Sequence, residues 1–343
     1  MNTTLINAIF TVFFLAGAVY FWQSTRKIKS SLIEPADENH GHTLVSISVP
    51  KNNDRTPLAA EQLFAAMHGI YRMGANKQPQ ISCEIVSKNK LITFYMYVPT
   101  ELKDFVLSQV YSQYPNVDID EISPENDYAK VGEDRQIAAT ELSLKRPTVY
   151  PIKTFLNFEV DPLSAITGVL SSTGDNEEIW AQLIIRPIDD DWQDQGEAEI
   201  KNIKEPPKKP ASLASIITKE AGALGAEMLR TMATGGAAAE KKEDKKDDKK
   251  ELAGPVQQAV KGIEEKITKL GFEATIRLVA AAPDQFAAQA KLEQAIGAFK
   301  QYNSINLNSF ISKNIVSDKA AIELYLHREI GQPELIFNIT ELA

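Results

Sequence analysis

The first third of the chain alternates between two hydrophobic periods. Apolar and polar residues alternate at 44–49, which predicts a strand, and apolar residues then recur every three or four positions after Thr56 and Pro57, which predicts a helix. Two more alternating runs, at 81–87 and 91–98, lie close enough in sequence to predict a β-hairpin.

A second helical stripe begins after Thr100 and ends before Pro115, and an apolar run at 117–122 predicts one more strand. The order is therefore β-α-β-β-α-β, which is the split βαβ arrangement. We predict an α+β chain whose residues 44–122 form a ferredoxin-like domain, an antiparallel sheet with two helices on one face.

The same order begins again after a connector at 123–150, which itself holds a candidate strand at 137–144. A strand at 152–160, a helix after Asp161-Pro162 and an apolar strand at 179–186 are expected. These elements predict a second ferredoxin-like domain over residues 151–318.

The second domain is interrupted by a long insertion, residues 188–270. Within it, residues 205–254 are predicted to be disordered, because they end in a block at 240–251 of six lysines and six acidic residues. An amphipathic stretch at 213–229 predicts a short helix before that block.

Predicted structure resumes at the end of the insertion with a helix at 255–270. The second domain then continues with a strand at 272–281, a helix at 283–300 and a strand at 304–311. The tail, residues 319–343, is expected to lead towards a further domain that the chain lacks.

The N-terminal region, residues 1–30, contains an uncharged run at 5–22, which as a helix covers roughly 27 Å and predicts a transmembrane anchor. The anchor residues that we single out are Leu5, Phe13, Phe14, Leu15, Tyr20 and Trp22. A linker at 31–43 follows.

Basic residues follow the apolar run and none precedes it; they are Arg26, Lys27 and Lys29. The positive-inside rule then predicts a single-pass protein of the inner (cytoplasmic) membrane, with its N-terminus outside and its bulk in the cytoplasm. A cleavable signal peptide ending near Ala16-Gly17-Ala18 is the alternative, although its charges would normally come first.

Composition is globular, with 43% hydrophobic and 24% charged residues, so a packed core is expected. The net charge of −9 does not favour nucleic acid as the main partner. A single cysteine, Cys83, excludes a disulfide framework within the chain, and it alternates with Ile81 and Ile85 on an expected core face.

The sequence carries no recognised catalytic motif. It has no Gly-Lys dipeptide, no Gly-x-Gly-x-x-Gly and no Gly-x-Ser-x-Gly, which argues against a P-loop, a dinucleotide site and a nucleophile elbow. Neither the aspartates at 189–194 nor the histidines have the spacing of a metal site; the histidines are His40, His42, His68 and His327. We therefore predict no catalytic residue, no cofactor and no metal.

Three aromatic residues, Phe94, Tyr95 and Tyr97, lie on one predicted strand. In a ferredoxin-like sheet such residues can stack with single-stranded nucleic acid. Packing against another domain is the favoured alternative, because the strand lacks the glycine-bearing signature of RNA-recognition domains.

Four segments, residues 49–64, 150–155, 161–163 and 180–187, together resemble the N-terminal region of membrane-anchored ATPases related to type IV secretion and conjugative coupling. The similar branch occurs in small-genome bacteria. In those proteins a segment like 337–343 leads on to the ATPase, whereas here the chain ends at Ala343.

The resemblance implies a non-enzymatic, membrane-anchored adaptor of a type IV secretion or DNA-transfer-like machine. Its expected partners are the lipid bilayer, a motor ATPase or missing C-terminal domain, and further copies of itself. Whether the chain is a separate subunit, a split gene product or a fragment stays open. A single-stranded nucleic-acid-binding module is the alternative function.

Overall fold

Helices and strands alternate along most of the chain in the computed structural model. It describes residues 41–50, 53–75, 77–129, 134–205, 253–317, 323, 325, 327–328 and 330–343. The first elements are β1 (His42–Ser48), α1 (Pro57–Met67), β2 (Ile81–Lys88), β3 (Leu91–Pro99), α2 (Lys103–Gln113), β4 (Asp118–Ile122), β5 (Gln136–Leu144) and α3 (Leu163–Ser171). The later elements are β6 (Glu178–Pro187), α4 (Asp191–Lys204), α5 (Gly254–Ile267), β7 (Gly271–Ala282), α6 (Gln285–Phe299), β8 (Phe310–Ser312), β9 (Leu335–Asn338) and α7 (Ile339–Leu342).

The nine strands of the described residues form one sheet, in the order β4-β1-β3-β2-β6-β7-β5-β8, with β9 beside β7. The two halves of the chain join where β2 pairs antiparallel with β6, from Ile81 opposite Ile185 to Lys88 opposite Glu178. The prediction of two separate ferredoxin-like domains is therefore wrong. Each half keeps the β-α-β-β-α-β order, but β2 and β6, the second strand of each half, pair with each other at the centre of a common sheet.

The first half has its elements close to the predicted positions. Asn89 and Lys90, the two residues between β2 and β3, both have positive φ, 53° and 64°, as a two-residue hairpin turn requires. The strand predicted at 152–160 is wrong: the first strand of the second half is β5, inside the predicted connector.

Residues 152–160 do not form a strand because their backbone groups have other partners. The amide of Ile152 donates to Glu341 Oε1 at 3.0 Å, and that of Lys153 donates to the carbonyl of Tyr302 at 3.0 Å. A 3-10 turn at Phe155–Asn157 follows. An apolar composition alone does not distinguish such a packed loop from a strand.

The helices α1, α2, α3 and α6 cover one face of the sheet, where they build the larger core. Met67, Val106, Leu170 and Leu292, one from each helix, are each at most 1% exposed in this core. Cys83 packs on the same face, as its alternation predicts, and burial raises the pKa of its thiol to about 12, with a smaller contribution from Glu84.

The connection between β6 and β7 is residues 188–270, where an insertion was predicted. Its described parts include α4 and α5, which pack on each other where Gly196 faces Ile267. Residues 206–252, which include all but three residues of the segment predicted to be disordered (205–254) and the helix predicted at 213–229, lie outside the described residues.

The prediction of a membrane-anchored fold and localisation is corrected. Among the described residues, no helix is long and apolar enough to cross a bilayer, and the longest, α6, has 15 residues. A transmembrane helix needs about 20. The span predicted at 5–22, with its basic flank at 26–29, lies outside the described residues. We withdraw the single-pass, inner-membrane assignment.

Candidate functional site

The sheet face opposite the four helices carries a row of polar side chains that crosses five adjacent strands. Tyr95 on β3 lies opposite Glu84 on β2, Glu84 opposite Gln182 on β6, Gln182 opposite Arg277 on β7, and Arg277 opposite Glu141 on β5. We call these five residues the polar row. Glu84, Gln182 and Arg277 are each at most 2% exposed, so each needs partners inside the protein.

Glu84 is the most heavily bonded member of the polar row. Its Oε1 accepts from Ser82 Oγ at 2.6 Å and from Arg328 Nε at 2.7 Å, and its Oε2 accepts from Tyr128 OH at 2.6 Å. Burial is the largest cause that raises the pKa of Tyr128 well above its ordinary value, and the Glu84 charge adds to it. The phenol therefore stays protonated and donates to the carboxylate.

Arg328, from the segment between β8 and β9, lies over this part of the row and is 1% exposed. Its Nη1 and Nη2 donate to the two carboxylate oxygens of Asp127 at 2.8 and 2.9 Å. Its guanidinium carbon is 4.6 Å from the ring centre of Tyr97 and 5.3 Å from that of Tyr128. Burial opposes the charge, but Asp127 and Glu84 outweigh it and raise the pKa of Arg328 above its ordinary value.

Gln182 connects the two halves of the row through its amide. Its Nε2 donates to Tyr128 OH at 3.3 Å and to the backbone carbonyl of Tyr325 at 3.1 Å. Its Oε1 is buried and has no hydrogen-bond partner among the described residues.

The far end of the row is a second ion cluster. Arg277 Nε donates to Glu141 Oε1 at 3.0 Å, and Lys313 Nζ donates to Glu141 Oε2 at 3.2 Å. Burial of Glu141 opposes its charge, but these two cations outweigh it and lower the pKa of the carboxyl. The Arg277 guanidinium also lies 5.2 Å from the ring centre of Tyr325. The two carboxylates of the row, Glu84 and Glu141, are thus each paired with a cation of the same chain.

A second buried carboxylate, that of Glu178, the first residue of β6, lies on the same face. Trp180 Nε1 donates to its Oε2 at 3.1 Å, and Arg135 and Lys88 form ion pairs with its Oε1. Tyr128 packs edge-on against Trp180, with ring centres 5.2 Å apart. This cluster and the polar row therefore share Tyr128 as a common neighbour.

The three aromatic residues proposed for base stacking are not brought together. Phe94 lies opposite Ile85, which packs under the helices, whereas Tyr95 and Tyr97 point to the other face. Tyr95 is stacked on Tyr128 with ring centres 5.0 Å apart, and Tyr97 faces Arg328. The two tyrosine rings thus already have intramolecular partners.

Metal-ligand geometry does not occur in the described ranges, where no group of three or more His, Cys, Asp or Glu side chains could hold an ion. Of the aspartates at 189–194, Asp191 and Asp194 lie in the first turn of α4. A helix N-terminus favours negative charge there. His68 Nε2 lies 3.0 Å from the carbonyl of Ile188, and His40 lies outside the described residues.

Two loops at one end of β5 and β8 pack along each other, and we call residues 153–162 and 300–308 the paired loops. Lys153 bonds to Tyr302 as described, and Gln301 Nε2 donates to the carbonyl of Pro162 at 2.9 Å. The rings of Phe158 and Tyr302 meet edge-on, with centres 5.5 Å apart. These contacts fix the two backbones side by side.

The paired loops nevertheless leave three large apolar side chains in solvent. Leu156 is 70% exposed, Val160 76% and Ile305 93%. All three lie on the two loops whose backbones are bonded to each other, and an apolar patch on a protein surface is typical of a site that another molecule covers.

The polar row could be suspected from sequence only in part. Gln182 is conspicuous as the one polar residue in the apolar run at 179–185. Arg328 and Asp127 gave no such signal, because they lie outside regular strands and Arg328 is 244 positions from Glu84.

Comparison with known proteins identifies a family whose function is not described. A family model described as a domain of unknown function, DUF8128, matches residues 22–331. A search of curated proteins finds no match to the chain.

Proposed function

We propose that this chain, which belongs to the DUF8128 family, is a non-enzymatic adaptor that binds a partner protein. The observation that carries the proposal is the exposed apolar surface of the paired loops, where Leu156, Val160 and Ile305 are 70–93% exposed. Burying such side chains against a partner releases ordered water and stabilises a complex.

The bonding of the polar row supports a structural role for the buried charges. A general acid or base must reach a proton on its substrate. Glu84 is 2% exposed, and its two oxygens already accept three hydrogen bonds from side chains of this chain. The Glu84 carboxylate therefore stabilises the packing of β2 against the segments that carry Tyr128 and Arg328.

The partner that we propose is a motor ATPase of the conjugative coupling class, in a type IV secretion or DNA-transfer-like machine. This step rests on the resemblance of residues 49–64, 150–155, 161–163 and 180–187 to the N-terminal region of such ATPases. Self-association of the adaptor belongs to the same proposal, because such machines are symmetric assemblies.

The nucleic-acid alternative has less support. The rings of Tyr95 and Tyr97 have intramolecular partners, and the net charge of −9 would repel a phosphate backbone. We therefore propose no nucleic-acid-binding function for this chain.

The test is a binding measurement between the full chain and the purified coupling-class ATPase of the same genome. We expect a saturable complex that Ile305→Asp weakens by about tenfold or more, because a buried charge replaces an apolar contact at the interface. Val160→Asp should act in the same direction.

The matched control is Met73→Asp, since Met73 is also 93% exposed but lies in the loop between α1 and β2. We expect it to leave the affinity unchanged. Absence of a complex, or equal effects of Ile305→Asp and Met73→Asp, would overturn the proposal.

A further inference from the structure

Arg328 occupies a pocket whose described bonding partners, Glu84, Tyr97, Asp127 and Tyr128, come from earlier parts of the chain. Glu84 and Tyr97 stand on the central strands, and Asp127 and Tyr128 on the connection between β4 and β5. The walls provide two carboxylates within 2.9 Å of the guanidinium nitrogens and two aromatic rings within 5.3 Å of its carbon.

This combination is specific for an arginine side chain. A carboxylate that accepts from both terminal nitrogens matches the planar fork of a guanidinium, and aromatic faces attract its delocalised charge. A lysine ammonium fits such a bidentate, stacked site poorly. The pocket therefore has the chemistry of a recognition site for one side-chain type.

The backbone around Arg328 is also held in the way that proteins hold a bound peptide. Gln80 Nε2 donates to the carbonyl of Arg328 at 2.8 Å, and Gln80 Oε1 accepts from the amide of Ile330 at 3.3 Å. Ile330 is 9% exposed, so an apolar side chain two residues after the arginine is buried as well. One glutamine thus pairs with both backbone groups of an Arg-x-Ile segment.

Arg328 itself has a backbone conformation that is unfavourable for a residue with a side chain. Its φ is 50°, in the left-handed region that glycine and asparagine adopt most easily. A segment from another chain could enter the same pocket with an extended backbone and without that strain.

We propose that Glu84, Asp127, Tyr97, Tyr128 and Gln80 form a docking site for an Arg-x-Ile segment, which the chain fills with its own Arg328 and which an arginine-bearing segment of a partner protein can occupy in its place. The site shares no residue with the paired loops, so the proposed function and this inference can fail separately.

The experiment uses the full chain with Arg328→Ala, which removes the guanidinium from the pocket. The chain's own Ile330 and the backbone bonds to Gln80 remain, so the added peptide competes with them for that part of the site. The probe is an acetylated, amidated pentapeptide with the sequence of residues 327–331, and the control peptide has lysine in place of arginine. We expect the arginine peptide to bind saturably and, at about tenfold excess over its Kd, to raise Tm by about 2–4 °C. The lysine peptide should bind at least about tenfold more weakly.

Further variants test whether peptide binding depends on the Arg328 pocket. Adding Asp127→Asn to Arg328→Ala should abolish binding of the arginine peptide, because the bidentate acceptor is lost. Arg72→Ala, which removes an exposed arginine paired with Glu101, should create no binding site. The unaltered chain should bind the arginine peptide more weakly than Arg328→Ala does, because Arg328 competes.

If Arg328→Ala does not fold alone, the same peptides are added during refolding, and the arginine peptide should restore the folded yield where the lysine peptide does not. Equal behaviour of the two peptides in the binding and refolding measurements would overturn the proposal.

Discussion

Lys266 and Glu341 form an ion pair that is completely buried, with 0% exposure of both side chains and 2.9 Å between Lys266 Nζ and Glu341 Oε2. Lys266 Nζ also donates to the carbonyls of Thr148 at 2.6 Å and Ile336 at 2.7 Å. Burial lowers the pKa of Lys266, and the Glu341 charge works against that shift. The pair ties α5 to α7 and to the connection before α3.

We expect Lys266→Ala to lower the free energy of unfolding by about 3–5 kcal/mol, because it leaves the Glu341 carboxylate buried without its cation. Equilibrium unfolding in urea measures the change. Lys261→Ala is the control on the same helix, since Lys261 pairs with Glu265 at an exposed position. It should change stability by no more than about 0.5 kcal/mol. Similar losses for the two variants would refute the assigned role of the buried pair.

Residue-level prediction from sequence succeeded where the pattern is local. Cys83 was placed on a core face because it alternates with Ile81 and Ile85, and all three contribute to the core under the helices. The partners of Lys266 and Arg328 could not be found this way. Each pair joins residues that are 75 or more positions apart and that no period relates.

At the scale of elements, the contact between α4 and α5 depends on a glycine. A Cβ built on Gly196 would lie 2.4 Å from Ile267 Cγ2 and 3.4 Å from Ile263 Cγ2. The absence of a side chain at this position lets the two helices approach closely.

Gly196→Ala should therefore destabilise the protein by about 1–3 kcal/mol, because the added methyl group forces the helices apart. Gly297→Ala on α6 is the matched control, since a Cβ there meets no atom of the described residues within 4 Å. It should stabilise by about 0.5–1 kcal/mol through the better helix propensity of alanine. Thermal or urea unfolding distinguishes the two. A Gly196→Ala variant as stable as Gly297→Ala would contradict the observed packing.

Elements were predictable where caps and turns mark their ends. Thr56-Pro57 marks the start of α1, and the hairpin at 88–91 separates β2 from β3. The predicted strand at 152–160 failed because its apolar residues pack in a loop that is bonded to Glu341 and Tyr302. Glu341 lies 189 residues after Ile152, and Tyr302 lies 149 residues after Lys153, so no local pattern reveals these partners.

At the scale of the whole molecule, the pairing of β2 with β6 turns two β-α-β-β-α-β halves into one sheet. We call this β2–β6 pairing the seam. The polar row crosses it through Glu84 and Gln182, and Tyr128 contacts both residues. Sequence predicted the order of elements in the first half, but it could not predict the seam. Two strands about 100 residues apart in sequence carry no local pattern that specifies their pairing.

One sheet implies one cooperative unit, because separating the halves would expose the apolar strands on both sides of the seam. The most direct test is native-state amide hydrogen exchange on the full chain at increasing urea, followed by mass spectrometry of peptides from β3 and β7. These strands flank the seam, β3 beside β2 and β7 beside β6. We expect peptides from the two strands to exchange through the same global opening, with equal opening free energies and equal urea dependence. A β3 peptide that opens at clearly lower urea than a β7 peptide, or the reverse, would show two independently folding halves and contradict the continuous sheet.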